Sequence, residues 1–153
     1  MLSNFSSEYL FFLIPLPYNT ARYIPIPKEV KSMRLFNYLI LAHLIGDYLI
    51  QTEFEALNKA LGRFWNRALI SHCVKYTLSF LPLVIWFGLP LWWLLVIYGS
   101  HMVLDRRWFI IAWRKYVTRN SAESIKATFW LTVVIDQIFH VFVLAGLAIT
   151  LSV

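Results

Sequence analysis

The chain has 153 residues, of which 59% are hydrophobic and 18% aromatic but only 14% charged, where soluble domains carry about a quarter. One domain of this length with so little polar surface is excluded as an ordinary soluble fold, and the mean hydropathy of +0.62 points to a membrane as solvent. The net charge of +6 does not signal nucleic acid, because the basic residues sit in loops beside apolar runs, the pattern that orients membrane proteins.

Residues 1–32 read as a separate N-terminal arm, interfacial or disordered. Its apolar stretch 9–17 is too short to span the bilayer as a helix, and Pro15, Pro17, Pro25 and Pro27 break it. Met33 followed by Arg34 also resembles a translation start, so Met1 and Met33 both stand as candidates. Residues 33–153 form an all-α membrane domain, a four-transmembrane-helix bundle with short loops. The first span covers 35–50 and holds His43 and Asp47, with Gln51 just beyond it. The second covers 68–87, holds His72, and contains Pro82. Gly88 and Pro90 make a tight turn, with Trp92 and Trp93 as interfacial anchors. The third covers 91–111 and holds His101 and Asp105. Asn120 with Glu123 three residues later reads as a capping box for the fourth, which becomes fully apolar over 129–153 and holds Asp136, Gln137 and His140. Gly46 and Gly99 suit close helix packing. The runs are long and do not alternate, which argues for helices rather than barrel strands.

Lys59, Arg63 and Arg67 lie between spans one and two. Arg106, Arg107, Arg114, Lys115, Arg119 and Lys126 lie between spans three and four. The positive-inside rule makes these loops cytoplasmic and both termini external. Cys73 has no partner for a disulfide.

All four histidines and all three aspartates fall in or at the end of a span. His43–Asp47, His101–Asp105 and Asp136–His140 are each four residues apart, so each pair shares a helix face. With four histidines placed at random, an aspartate has roughly a 5% chance of one at that offset, so three pairs arise roughly once in ten thousand. Spans one and three read His then Asp, and the oppositely directed fourth reads Asp then His, so every Asp lies nearer the cytoplasm. With His72, the seven side chains fall in one layer roughly 6–17 Å below the cytoplasmic boundary.

Ionisable groups at membrane depth are expensive unless they face inward and pair. Imidazole with carboxylate is the ligand set of zinc, iron or manganese, and helical bundles build metal sites from such spacings. The expectation is a divalent metal, zinc first, with iron or manganese as alternatives. His43, His101, His140 and Asp136 are the leading ligands. Asp47, Asp105 and His72 serve as ligands, orienters or a general base, and the Gln51 and Gln137 amides hold ligands in place. A metal beside an open position makes a hydroxide nucleophile from water.

The segments 41–51, 100–105 and 136–140, with a lone histidine in the second span between them, resemble a bacterial and phage membrane family known as domain of unknown function 3307. The resemblance runs from Met33 to the C-terminus. It implies the fold and the shared polar positions, in a multi-pass protein of the bacterial inner (plasma) membrane, but no reaction. The His–Asp pairs are also similar to those of membrane-bound metal-dependent hydrolases, which suggests a lipid or other amphiphile as substrate, taken from the cytoplasmic leaflet. The alternatives are a small ion, metal or proton transporter or channel subunit, and a metal-free structural membrane protein. The sequence leaves the oligomeric state open.

Overall fold

A computed structural model describes residues 28–61 and 65–150. Among them it has seven α-helices and no strand: α1 (Lys28–Leu44), which runs on into a π-helical turn at Ile45–Leu49, α2 (Glu53–Asn58), α3 (Arg67–Trp86), α4 (Trp92–Asp105), α5 (Trp108–Tyr116), α6 (Ala122–Ala127) and α7 (Phe129–Ile149). Residues 28–32, assigned to the arm from sequence, belong to α1, and Ser32 Oγ donates to the Ala148 carbonyl at 2.9 Å. The rest of the arm assignment, like Arg63, lies outside the described residues.

α1, α3, α4 and α7 close a ring in which α1 and α4 each pack against both α3 and α7. Every helix buries one stripe at three- and four-residue spacing: Leu35, Leu39 and Ala42 on α1, Tyr76, Phe80 and Val84 on α3, Trp93 and Ile97 on α4, Leu144, Leu147 and Ala148 on α7. The same stripes carry on, turn by turn, into His43 and Asp47, His72, His101 and Asp105, and Asp136 and His140, all of them buried. Apolar packing at one end of the ring thus aims the polar groups inward at the other. Trp93, expected at the membrane interface, belongs to this core at 1% exposure.

Two of the four expected spans are cut short. α4 stops at Asp105 because Arg107 adopts a left-handed backbone (φ 58°), a conformation that costs a non-glycine residue energy, and 108–116 become the separate helix α5. The fourth segment breaks at Thr128 (φ −112°, ψ 46°), between α6 and α7. The N-cap of α6 is Ser121, whose Oγ accepts from Ser124 N at 3.2 Å, rather than Asn120. Arg114 bridges this break: its guanidinium, fully buried, donates to the Thr128 carbonyl and to the Thr128 and Thr132 hydroxyls at 2.6–3.0 Å. Read from sequence as a cytoplasmic orientation charge, it is part of the interior. Among the described residues, α3 (20 residues) and α7 (21 residues) are the two helices long and apolar enough, by length and composition, to cross a membrane.

α3 runs through Pro82 and ends in a Schellman motif: Leu89 N donates to Val84 O at 2.8 Å and Gly88 N to Ile85 O at 3.2 Å. Gly88, at φ 62°, is the residue that tolerates this conformation without strain.

Gly46 allows the close approach expected of it. A Cβ there would lie 2.8 Å from Tyr76 Cδ2 and 3.1 Å from Tyr76 Cα. The backbone atom cannot swing aside, so the π-helical turn carrying Asp47 would have to move. Gly46→Ala is expected to cost about 1–3 kcal/mol of stability, read as a lowered thermal midpoint in detergent. Gly99, by contrast, touches nothing within 4 Å at its Cβ position.

Candidate metal centre

The site stands where the π-helical turn, α3, α4 and α7 meet. An extra residue in a helical turn is a recurrent device at functional sites, and here the turn presents Asp47. His72 comes from α3, His101 from α4, and Asp105 is the final residue of α4. Asp136 and His140 come from α7. All are at most 3% exposed.

Four donor atoms converge in a first group. His72 Nε2 lies 3.1 Å from Asp47 Oδ1 and 3.1 Å from Asp105 Oδ2, and 2.9 Å from His101 Nε2. His101 Nε2 is itself 3.1 Å from Asp105 Oδ2. A ring nitrogen has one proton or one lone pair to offer, so these contacts at His72 Nε2 cannot all be hydrogen bonds. Donors packed this way suit a shared cation: two ligands at 2.0–2.1 Å from one ion stand about 2.9 Å apart when they subtend a right angle.

One cation is supplied by the chain. Lys59, placed by sequence in a solvated loop, is 4% exposed, and its Nζ lies 3.0 Å from Asp47 Oδ1, Asp105 Oδ2 and His72 Nε2. Burial alone would lower the Lys59 pKa, but the Asp105 and Asp47 carboxylates outweigh it and hold the ammonium above the usual lysine range. α2 carries Lys59 there. Thr52 and Glu55 form a capping box, and Glu55, buried at 1%, also accepts from Ser71 Oγ at 2.6 Å and Lys75 Nζ at 2.7 Å. Lys75 is thereby paired with Glu55.

Asp105, Asp136 and His140 form a second group, with one ligand atom of each within 4.8 Å of the others. His140 Nδ1 donates to the Asp136 backbone carbonyl at 2.9 Å, which fixes the tautomer and leaves the Nε2 lone pair for a ligand bond. His140 Nε2, Asp136 Oδ1 and Asp105 Oδ1 are buried and have no hydrogen-bond partner. Asp105 is common to both groups.

The remaining expected residues stand around these two. His43 belongs to neither group: its Nδ1 is 3.0 Å from Tyr76 Oη and its Nε2 2.9 Å from Gln137 Oε1. Gln137 Nε2 donates to Asp47 Oδ2 at 2.7 Å, so its Oε1 must accept from His43 Nε2–H, and His43 Nδ1 accepts from the tyrosine hydroxyl. Tyr76 also lies flat on His101, with ring centroids 3.4 Å apart and planes at 3°. This relay holds Asp47 and His101 in place. Gln51 Oε1 is buried without a hydrogen-bond partner, and Gln137 is the expected glutamine whose amide contacts His43 and Asp47.

A family model described as "Protein of unknown function (DUF3307)" matches residues 35–153. The chain belongs to this family. The DUF3307 match begins at Leu35, the first core residue of α1, and takes in every residue of both donor groups and Lys59. No curated protein and no solved structure matches the chain.

Sequence spacing pointed to the seven histidines and aspartates, but not to Lys59, Glu55 or Tyr76. A signal for the first two was present: Thr52 and Glu55 have capping-box spacing, and Lys59 follows Glu55 by one turn, on the same helix face.

Proposed function

We propose that this DUF3307 protein is a membrane-embedded metalloprotein. In this reading the ring of α1 with its π-helical turn, α3, α4 and α7 is embedded in the bilayer, α3 and α7 crossing it fully, with the donor groups near the side of the basic loops. The observation that carries it is the trio of buried, unpartnered donor atoms at Asp105, Asp136 and His140. Leaving such groups unsatisfied is expensive, and a divalent cation satisfies all three at once. The bilayer part is supported by an inside-out distribution of polarity. Aspartates and histidines fill the interior, while Trp86 (84% exposed) and Leu95 (74%) face outward with Ile85, Phe142 and Trp130, a surface that water would not favour.

The finer reading is a metal-dependent hydrolase acting on a lipid or other amphiphile. A bound divalent ion supplies a Lewis acid and a water of lowered pKa. The chain holds the ion dry and orients its ligands. An apolar groove of about 550 Å³, lined by Gly99, Val103, Phe109, Phe139 and Phe142, runs along the outer side of the α4–α7 seam whose inner side bears the second group. That placement suits an acyl chain beside the centre. Transport is the weaker reading, because among the described residues the interior between the site and the Gly88 turn is filled by Leu39, Phe80, Val84, Ile97 and Leu144.

Elemental analysis of detergent-extracted protein tests the proposal. Wild type is expected to retain zinc, iron or manganese in stoichiometric amount, and His140→Ala less than about a tenth of it, because losing even a ligand's orienting partner weakens metal binding by about 10–100-fold. Well-folded wild type that retains none would defeat the reading.

A further inference from the structure

We infer that the two donor groups take different cations: the Lys59 ammonium is the resident cation of the Asp47–His72–His101–Asp105 group, and one divalent ion binds at Asp105, Asp136 and His140. The inference rests on the metal-centre reading and assigns the metal to one half of it.

Lys59 Nζ sits 3.0 Å from three of the four atoms in the first group. An ion at about 2 Å from those same atoms on that side would lie inside the space the ammonium fills, and the two cations would repel. Nor is the ammonium loosely held. Lys59 closes α2, its backbone N–H bonds to Glu55 O at 2.9 Å, and Glu55 is fastened to α3 through Ser71 and Lys75.

In the second group, no ammonium contacts Asp136 or His140 among the described residues. Asp136 Oδ1, His140 Nε2 and Asp105 Oδ1 have no hydrogen-bond partner, and the His140 tautomer already offers its Nε2 lone pair. One ligand atom of each residue lies within 4.8 Å of the others, against about 3.4 Å between ligands set tetrahedrally around one ion, so side-chain movements of about an ångström close the site. Two carboxylates and an imidazole are a nitrogen–oxygen set for zinc, iron(II) or manganese(II) rather than copper(I), and three protein ligands leave a position open. Asp105 joins the halves: its Oδ2 contacts the ammonium, and a carboxylate oxygen of the same residue is one of the second group's ligand atoms. The ammonium therefore takes the role of a second metal, fixing the charge of the first group without the ability to exchange.

The test is metal stoichiometry in detergent-solubilised full-length protein dialysed against zinc or manganese. Wild type is expected to hold one ion per chain, Asp47→Asn to keep it, Asp136→Asn to lose it, and Lys59→Met to hold two. Two ions in wild type, or one in Lys59→Met, would overturn the assignment. So would loss in Asp47→Asn with retention in Asp136→Asn, and this pair decides alone if Lys59→Met does not fold. No ion in any variant would instead remove the metal centre itself, a distinguishable failure.

Discussion

Asp105→Asn is expected to lose both the metal and a large part of the protein's stability. The residue is fully buried, its Oδ2 contacts Lys59, His72 and His101 at 3.0–3.1 Å, and its carboxylate also belongs to the group with Asp136 and His140. Asparagine keeps the shape but removes the charge, which leaves Lys59 with half its counter-charge in a buried site. Breaking a buried ion pair from one side costs about 3–5 kcal/mol, and losing a ligand is expected to weaken metal binding more than about 100-fold, beyond the range seen for outer partners. Asp136→Asn separates the two effects. Its side-chain oxygens pair with no ammonium among the described residues, so it should lose the metal while the metal-free protein keeps its stability. Unfolding midpoints of metal-free protein, measured beside metal content, check both. Equal destabilisation by the two substitutions would count against the shared role of Asp105.

Glu55→Gln should have the next largest effect, although it lies outside both donor groups. The Glu55 carboxylate receives Thr52 N and Oγ1, Ser71 Oγ and Lys75 Nζ at 2.6–2.9 Å. Hydrogen bonds to a charged group are worth about 1.5–3 kcal/mol each at most, and glutamine cannot keep all four, so a loss of about 3 kcal/mol is expected. Burial pushes this carboxyl upward, but the Lys75, Ser71 and Thr52 donors outweigh burial and hold it at about 2, below its ordinary 4.5. A carboxyl with a lowered folded-state pKa stabilises fully above the unfolded value and loses that contribution as pH falls toward the folded one. Wild type should therefore lose this contribution between about pH 4.5 and pH 2, whereas Glu55→Gln should lack that component. An identical pH profile in both proteins would contradict the assignment.

The contrast between Asp105 and Glu55 also marks what the sequence discloses. The seven histidines and aspartates are legible because they sit on helices, where spacing fixes direction: His101 continues the stripe of Trp93 and Ile97, and His140 that of Leu144. Lys59 is not legible in that way. It follows a six-residue helix in a connection, and no periodicity says whether such a residue meets water or the core, so its charge read as orientation alone. Arg114 misled for a different reason: it shares a face of α5 with buried Ile110, but its charge in a basic stretch read as orientation. The breaks at Arg107 and Thr128 carry no proline or glycine to announce them; each is a single backbone conformation. His43 shows the remaining limit. Its spacing to Asp47 is that of the other pairs, yet Tyr76 and Gln137 contact both its nitrogens, partners on other helices that spacing along one helix does not disclose.

X-ray absorption spectroscopy of zinc-loaded protein tests most directly whether these buried side chains hold a metal. The expected spectrum has nitrogen and oxygen scatterers at about 2.0–2.1 Å with the outer-shell pattern of imidazole, and that imidazole signal disappears in His140→Ala. A shell of oxygens alone, unchanged by the substitution, would mean that the ion sits elsewhere and that the Asp–His interior holds the helices together without it.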